Sequence, residues 1–397
     1  MKKNKILLVF TQMQSLGGVQ TLIVRIANWL VEHGYTVNLL LFKGGEALDL
    51  LDKSIEVMIL GEEYDDYFFP TKMKVLSKNE FFSNISFIYS FGAKVLFLSA
   101  LLIKYLDKKP KIACGIYYPM IFTSPNIFSF NRVFGLLFNK YLSHSNKFFM
   151  SKEILNLNQK YFNSDFSSSK VFPLPINNIS DKDFNRLPKK YKIISVGRLV
   201  SFKTYNNYMI DVIEDLINSG YNVTYDIYGD GPLMNELVEK IKNKSLQKHI
   251  TLHGKVSYDK LKDIFSDAYI FVGMGTSVLE ASFCSVPSVV AQEKINNPLS
   301  QGYIYNMPEY NCGEYIQGMK KIKVYDLILD LINKNDKDYN LECKKTYDYV
   351  QKYSIDNVMH EFLNLIKYSS DSKQIVKFPK FYFYLYCMRT ILKKIFN

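Results

Sequence analysis

The feature that most constrains this chain is a set of wholly apolar, β-capable runs alternating with amphipathic helical ones. KILLVF (5–10) and TVNLLLF (36–42) are apolar throughout, not at every second position. Such strands need cover on both faces, as in a parallel sheet clothed by helices. Between them Val19, Leu22, Ile23, Ile26, Ala27 and Leu30 recur at helical spacing, and His33-Gly34 supplies a stop. The alternation predicts a strand over 86–90, a helix over 92–106, strands over 111–118 and 147–150, a helix over 152–162 and a strand over 170–174.

A polar, Asn- and Asp-rich stretch over 176–190 reads as a linker. A second series follows, with strands over 191–197, 223–229, 249–254, 268–273 and 287–291. Helices are expected around 209–217 and over 232–244, 257–265 and 277–284. Two βαβ series predict an α/β chain of two Rossmann-like, doubly wound domains facing across a cleft. The expected divisions are 1–175, the linker 176–190, a second domain 191–350, a helical segment 351–376 crossing back to the first domain, and a tail 377–397.

With 48% apolar and 22% charged residues, composition excludes disordered, collagenous and coiled-coil classes. Cys114, Cys284, Cys312, Cys343 and Cys387 form no CxxC pair, which argues against a disulfide framework or zinc site and for a reducing compartment. The start, KKNKILLVF, has too short an apolar run for a signal peptide. Over 81–106 the clean apolar run Val95–Ile103 falls far short of the roughly 20 residues of a membrane span. The net charge of +12 points to an anionic partner.

Three loops carry chemistry. Gly17-Gly18 precede the first helix and suit either an anion at its N-terminus or a plain turn. Arg198 and Lys203 follow a strand end, where open α/β sheets bind ligands, and both can reach one diphosphate; solvated surface cations are the alternative. In GMGTSVLEASFCSVPSVV (273–290), Gly275 closes a turn, Thr276 and Ser277 are expected to cap a helix whose N–H groups face an anion, and Glu280 can accept two hydroxyls. An exposed helix-face carboxylate is the alternative for Glu280.

These pieces, with GGVQTLIVRIANWLVEHGYTV, YDIYGDGPL and HGKVSYDKL, resemble the family 4 glycosyltransferases of the GT-B fold, nucleotide-sugar-dependent enzymes of bacterial polysaccharide assembly. The resemblance spans nearly the whole chain. It implies that Arg198 and Lys203 bind the donor diphosphate and that Glu280 binds its ribose. It also implies that Gly17 and Gly18 lie by the donor phosphates and acceptor, and that Gly254 and Val256 meet the base. It further implies retention of configuration, no metal and no cofactor, the nucleotide diphosphate-sugar being a substrate. The products would be surface polysaccharides of lipopolysaccharide, O-antigen or capsule type. Two positions depart from the family: Val272 stands where the first Glu of its E-x7-E motif should be, and Tyr118 where a His is expected near the reacting centre. They motivate an alternative, a catalytically silent subunit that binds a saccharide or a partner enzyme.

Asp181-Lys-Asp183 and Asp336-Lys-Asp338 have metal-site spacing but lie in Asn/Lys-rich loops. From Lys367 onward there are seven Lys/Arg against one Asp, interleaved with Phe and Tyr. That mixture predicts peripheral contact with an anionic membrane, on the cytoplasmic face, without nucleic acid as partner; a helix packed on the first domain is the alternative.

Overall fold

The apolar runs pair into two parallel sheets in the computed structural model, which describes residues 4–14, 17–61, 63–118, 121–122, 130–177 and 191–396. The first sheet contains β1 (Lys5–Gln12), β2 (Thr36–Lys43), β3 (Glu56–Ile59), β4 (Ile85–Phe91), β5 (Lys111–Ile116), β6 (Lys147–Phe149) and β7 (Lys170–Val171), in the order β3-β2-β1-β4-β5-β6-β7. The second contains β8 (Lys192–Val196), β9 (Thr224–Tyr228), β10 (Ile250–Gly254), β11 (Ile270–Gly273) and β12 (Ser288–Val290), in the order β10-β9-β8-β11-β12. In each sheet the order reverses beside the first strand, which gives a doubly wound fold with one switch point.

The chain divides into two compact units. Ile176–Ser354 forms one; Met1–Pro175 and Ile355–Asn397 together form the other. Central β1 pairs with both neighbours, Leu8 standing between Leu39 and Tyr89. Because both faces are covered, Leu7, Leu8 and Val9 are all buried, which explains their unbroken apolar run.

The C-terminal segment helps close both faces of this sheet. The helix Ile355–Tyr368 packs Phe362 against Tyr89, with ring centroids 5.2 Å apart, and against Phe172. Its Asp356 accepts a 2.9 Å bond from the Trp29 indole on the helix Gly18–Glu32. The helix Phe381–Phe396 packs the other way, placing Phe383 4.4 Å from Phe97 and Tyr386 4.5 Å from Phe68. Phe378, Phe383 and Cys387 are buried in the same core. The segment 377–397 is therefore not a detachable arm: its aromatic residues supply core to the first unit, each full burial stabilising by roughly 1.5–3 kcal/mol.

Other differences are local. The helix expected over 92–106 runs Ala93–Leu102, and the strand expected over 170–174 spans only Lys170–Val171. Edge strand β3, EVMI, was not among the expected strands; its apolar run, Val57–Leu60, is only four residues long. Residues 178–190, with Asp181-Lys-Asp183 and most of the expected linker, lie outside the described residues. Among the described residues, no helix is long and apolar enough to cross a membrane. Lys147 is fully buried on β6: its Nζ donates to the Asn139 carbonyl at 3.1 Å and lies over the rings of Phe166 and Phe138. Burial lowers its pKa to about 7.

Candidate functional site

In the second unit β8 and β11 are neighbours at the switch point, and the turns leaving their C-terminal ends bring the cationic and carboxylate residues together. After β8 the chain turns at Gly197. A bond from Leu199 N–H to the Asp230 carbonyl (2.9 Å) and one from Lys203 N–H to the Val200 carbonyl (2.9 Å) shape the loop. Lys203 then folds back over Gly197, where a Cβ would stand 2.7 Å from its Nζ. Arg198 remains exposed on the same turn. Burial lowers the Lys203 pKa to about 8, the Arg198 guanidinium pushes the same way, and the Glu280 carboxylate opposes both. The site is thus poised to gain a proton when an anion arrives.

After β11 only Met274 and Gly275 connect strand to helix Thr276–Phe283. Gly275 sits at φ +73° and ψ −145°, a conformation reserved for glycine, and it is the N-cap residue. Thr276 and Ser277 are therefore not caps: Thr276 is the first helical residue, and the buried Ser277 hydroxyl donates back to the Met274 carbonyl at 3.2 Å. No side chain caps this helix, and its first turn carries no acid, so its leading N–H groups suit an anion.

Glu280 is buried, not an exposed helix-face carboxylate. Helical spacing puts it one turn inside the helix, where it accepts a 3.2 Å bond from the Tyr258 hydroxyl. Tyr258 opens a 3-10 turn on the loop that follows Gly254, the last residue of β10, and includes Val256. Gly254 takes φ +71°, with open space where a Cβ would be. Val256 is half-buried. Sequence reasoning missed Tyr258; its one signal was an aromatic residue in the otherwise polar run SYDK.

Val272 lies within β11 and is fully buried in the second-unit core. Counting eight residues back from Glu280 therefore lands inside a strand. A carboxylate at this position would be buried in the apolar core of the unit.

In the first unit, Gly17 is the N-cap of Gly18–Glu32 at φ −106°, so neither a left-handed turn nor a side-chain cap occurs there. A Cβ at Gly17 would meet the Gln20 Oε1 at 2.6 Å, the far end of a flexible side chain. Tyr118 lies just beyond β5 with its ring half exposed. Its neighbour Tyr117 is the hydrogen-bonded one, sharing a 2.7 Å bond with buried Tyr89. Asp336 and Asp338 occupy the first turn of helix Asp336–Val350, where the Asn335 side chain accepts from the Asp338 N–H. Among the described residues, no cluster of three or more His, Cys, Asp or Glu has metal-site geometry.

Residues 177–299 match the family model described as glycosyl transferases group 1. A Saccharomyces cerevisiae protein, the phosphatidylinositol N-acetylglucosaminyltransferase GPI3 subunit, is 23% identical over 45% of this chain and 37% of its own length. The poly(ribitol-phosphate) alpha-N-acetylglucosaminyltransferase of Staphylococcus aureus is 23% identical over 43% of this chain and 34% of its own. The chain thus spans well under half the length of these relatives. The crystal structure of Anabaena Alr3699/HepE in complex with UDP and glucose superposes with a TM-score of 0.68 at 15% identity, covering 92% of this chain and 99% of that one. Over residues 177–299 the chain is similar to the glycosyl transferases group 1 family, and its two parallel sheets are those of the GT-B glycosyltransferase fold.

Proposed function

We propose that the protein moves a sugar from a nucleotide diphosphate-sugar to a saccharide or lipid-linked saccharide acceptor, in the assembly of a surface polysaccharide. The observation that carries this reading is the grouping of Arg198, Lys203, buried Glu280 and an uncapped helix N-terminus at the β8/β11 switch point. Arg198, Lys203 and the first-turn N–H groups of Thr276–Phe283 would neutralise the leaving diphosphate as its bond to the anomeric carbon breaks. Glu280, held by Tyr258, would accept the ribose hydroxyls. Gly254 and Val256 would leave backbone atoms for the base. With these cations in place the departure needs no metal, and configuration is retained. Gly17, Gly18 and Tyr118 belong to the first unit, which would supply the acceptor. The reaction is assigned to the cytoplasmic face of a membrane, where a lipid-linked acceptor is met.

The short turn at 274–275, without a carboxylate, is the observation that favours the silent-subunit reading. Incubation with a panel of UDP- and GDP-sugars, with and without chelator, separates the two. Release of free sugar or glycosylated product from one donor supports transfer, and the anomeric signal of the product by NMR reads out retention. Tight nucleotide binding with no turnover of any donor would refute transfer.

A further inference from the structure

The helix Phe381–Phe396 has two apolar faces, and the fold uses only one. Phe383, Tyr386 and Cys387 point into the first-unit core. On the other side Phe381, Tyr384, Met388, Ile391, Leu392 and Ile395 follow at three- and four-residue steps and are 44% to 67% exposed. At 100° per residue they form a stripe about 100° wide, centred about 130° from Phe383. Arg389, whose guanidinium lies 5.7 Å from the Phe130 ring, stands about 60° beyond one edge of the stripe and Lys394 about 60° beyond the other, with Lys393 farther round on the Arg389 side. From Lys377 to Asn397 there are five cations and no carboxylate. A water-facing row of six large apolar side chains needs a partner.

We propose that this face docks the chain on an anionic lipid bilayer. The helix lies in the plane of the interface, with the stripe inserted below the headgroups, Arg389 and Lys394 reaching the lipid phosphates from its two flanks, and Lys393 adding positive charge near the surface. The proposal rests on the reading of the chain as a peripheral membrane protein, and it locates the contact on one helix face. Charge selects the bilayer over a second copy. A two-fold contact between these helices would bring two cationic segments together, with no acidic side chain on either helix to offset them.

The test floats the full-length chain with phosphatidylcholine vesicles containing about a third phosphatidylglycerol, beside vesicles of phosphatidylcholine alone. The chain should float with the anionic vesicles, and high salt should weaken that attachment. Ile391→Glu with Ile395→Glu, and separately Lys393→Glu with Lys394→Glu, should each lower the bound fraction about tenfold or more. A milder pair, Ile391→Ser with Ile395→Ser, serves if the charged pair unfolds. UDP binding and thermal melting should stay native in these variants, since the substituted side chains are exposed. Equal flotation of native chain and folded variants would overturn the proposal, as would equal binding to neutral vesicles. If the isoleucine variants instead split a dimer in lipid-free sedimentation, the face belongs to a second copy. A chain that floats as expected but turns over no donor would refute sugar transfer and leave this surface standing.

Discussion

Lys203 ties nucleotide binding to pH in a way the structure makes quantitative. Its ammonium is held to about 8, first by burial and then by Arg198. A bound diphosphate adds negative charge beside it and restores the ordinary lysine range, near 10.4. The free protein therefore carries about half a proton at Lys203 at pH 8, and the complex carries about one. Binding at pH 8 should take up about half a proton. The sign follows: affinity is level below pH 7, where Lys203 is charged in both states, and falls as pH rises above 8, where the free protein must first be protonated. Between pH 7 and pH 10 the loss approaches about 100-fold, or about 2.7 kcal/mol at 1.36 kcal/mol per pKa unit. Calorimetry with UDP-glucose in two buffers of different ionisation heat measures the proton directly. Lys203→Arg provides the reference, because a guanidinium stays charged throughout and uracil titration is common to both proteins. A native profile that parallels that of Lys203→Arg, or binding without proton uptake at pH 8, would refute the placement of the diphosphate at Lys203.

Glu280→Gln should weaken UDP binding about 10- to 150-fold, and Tyr258→Phe about 2- to 10-fold, by loss of a charged acceptor and of the bond that positions it. Titration with 2′-deoxy-UDP should shrink both effects; an undiminished loss would separate these residues from the ribose. Lys147→Met should stabilise the protein at pH 7 by a few kcal/mol. In the native chain the folded pKa is depressed to about 7, so stability should climb between pH 7 and 10.5 by up to about 1.4 kcal/mol per unit, a slope the variant should lack in denaturant melts. Phe383→Ala should cost about 3–5 kcal/mol, and cutting the chain after Val376 should unfold the first unit; a truncated chain with native circular dichroism and melting would contradict the packing of Phe383 on Phe97.

What was legible in the sequence is what is local or periodic. The strands of both sheets announce themselves because Leu7, Leu8 and Val9, or Ile193 and Ile194, are buried on both faces. The grouping of Arg198, Lys203 and Glu280 was legible because the turns after neighbouring strands converge at the switch point in this fold class, whatever the distant packing. The helix start at Thr276 was misread by one residue because glycine's backbone freedom, and not a hydroxyl, ends the turn there. Val272 lies inside the expected strand 268–273 and inside β11, which its apolar run made legible; motif spacing alone carries no information about where a strand stops. The Glu280–Tyr258 bond spans 22 residues, and the Phe97–Phe383 contact spans far more; no window on the sequence holds either pair. The C-terminal segment misled for a related reason: Phe and Tyr beside Lys suit an interface, and only the wheel of a formed helix shows that one row of them faces inward.

The division of the first unit into Met1–Pro175 and Ile355–Asn397 sets an order on synthesis. As the chain leaves the ribosome, the first sheet emerges early but lacks the helices that cover Tyr89 and Phe97 until the last segment is translated. The second unit, continuous from Ile176 to Ser354, is complete before that and can fold while the first waits. During that interval a wide apolar surface is open to chaperones and to aggregation. The molecule carries its own reporter of the closing step. Its single tryptophan, Trp29, stacks on His33 at 3.6 Å and bonds to Asp356, so indole emission should change only when the terminal segment docks. Nascent chains carrying residues 1–354 on a linker long enough to clear the ribosomal tunnel should therefore show folded second-unit signals with an unquenched, solvent-like tryptophan.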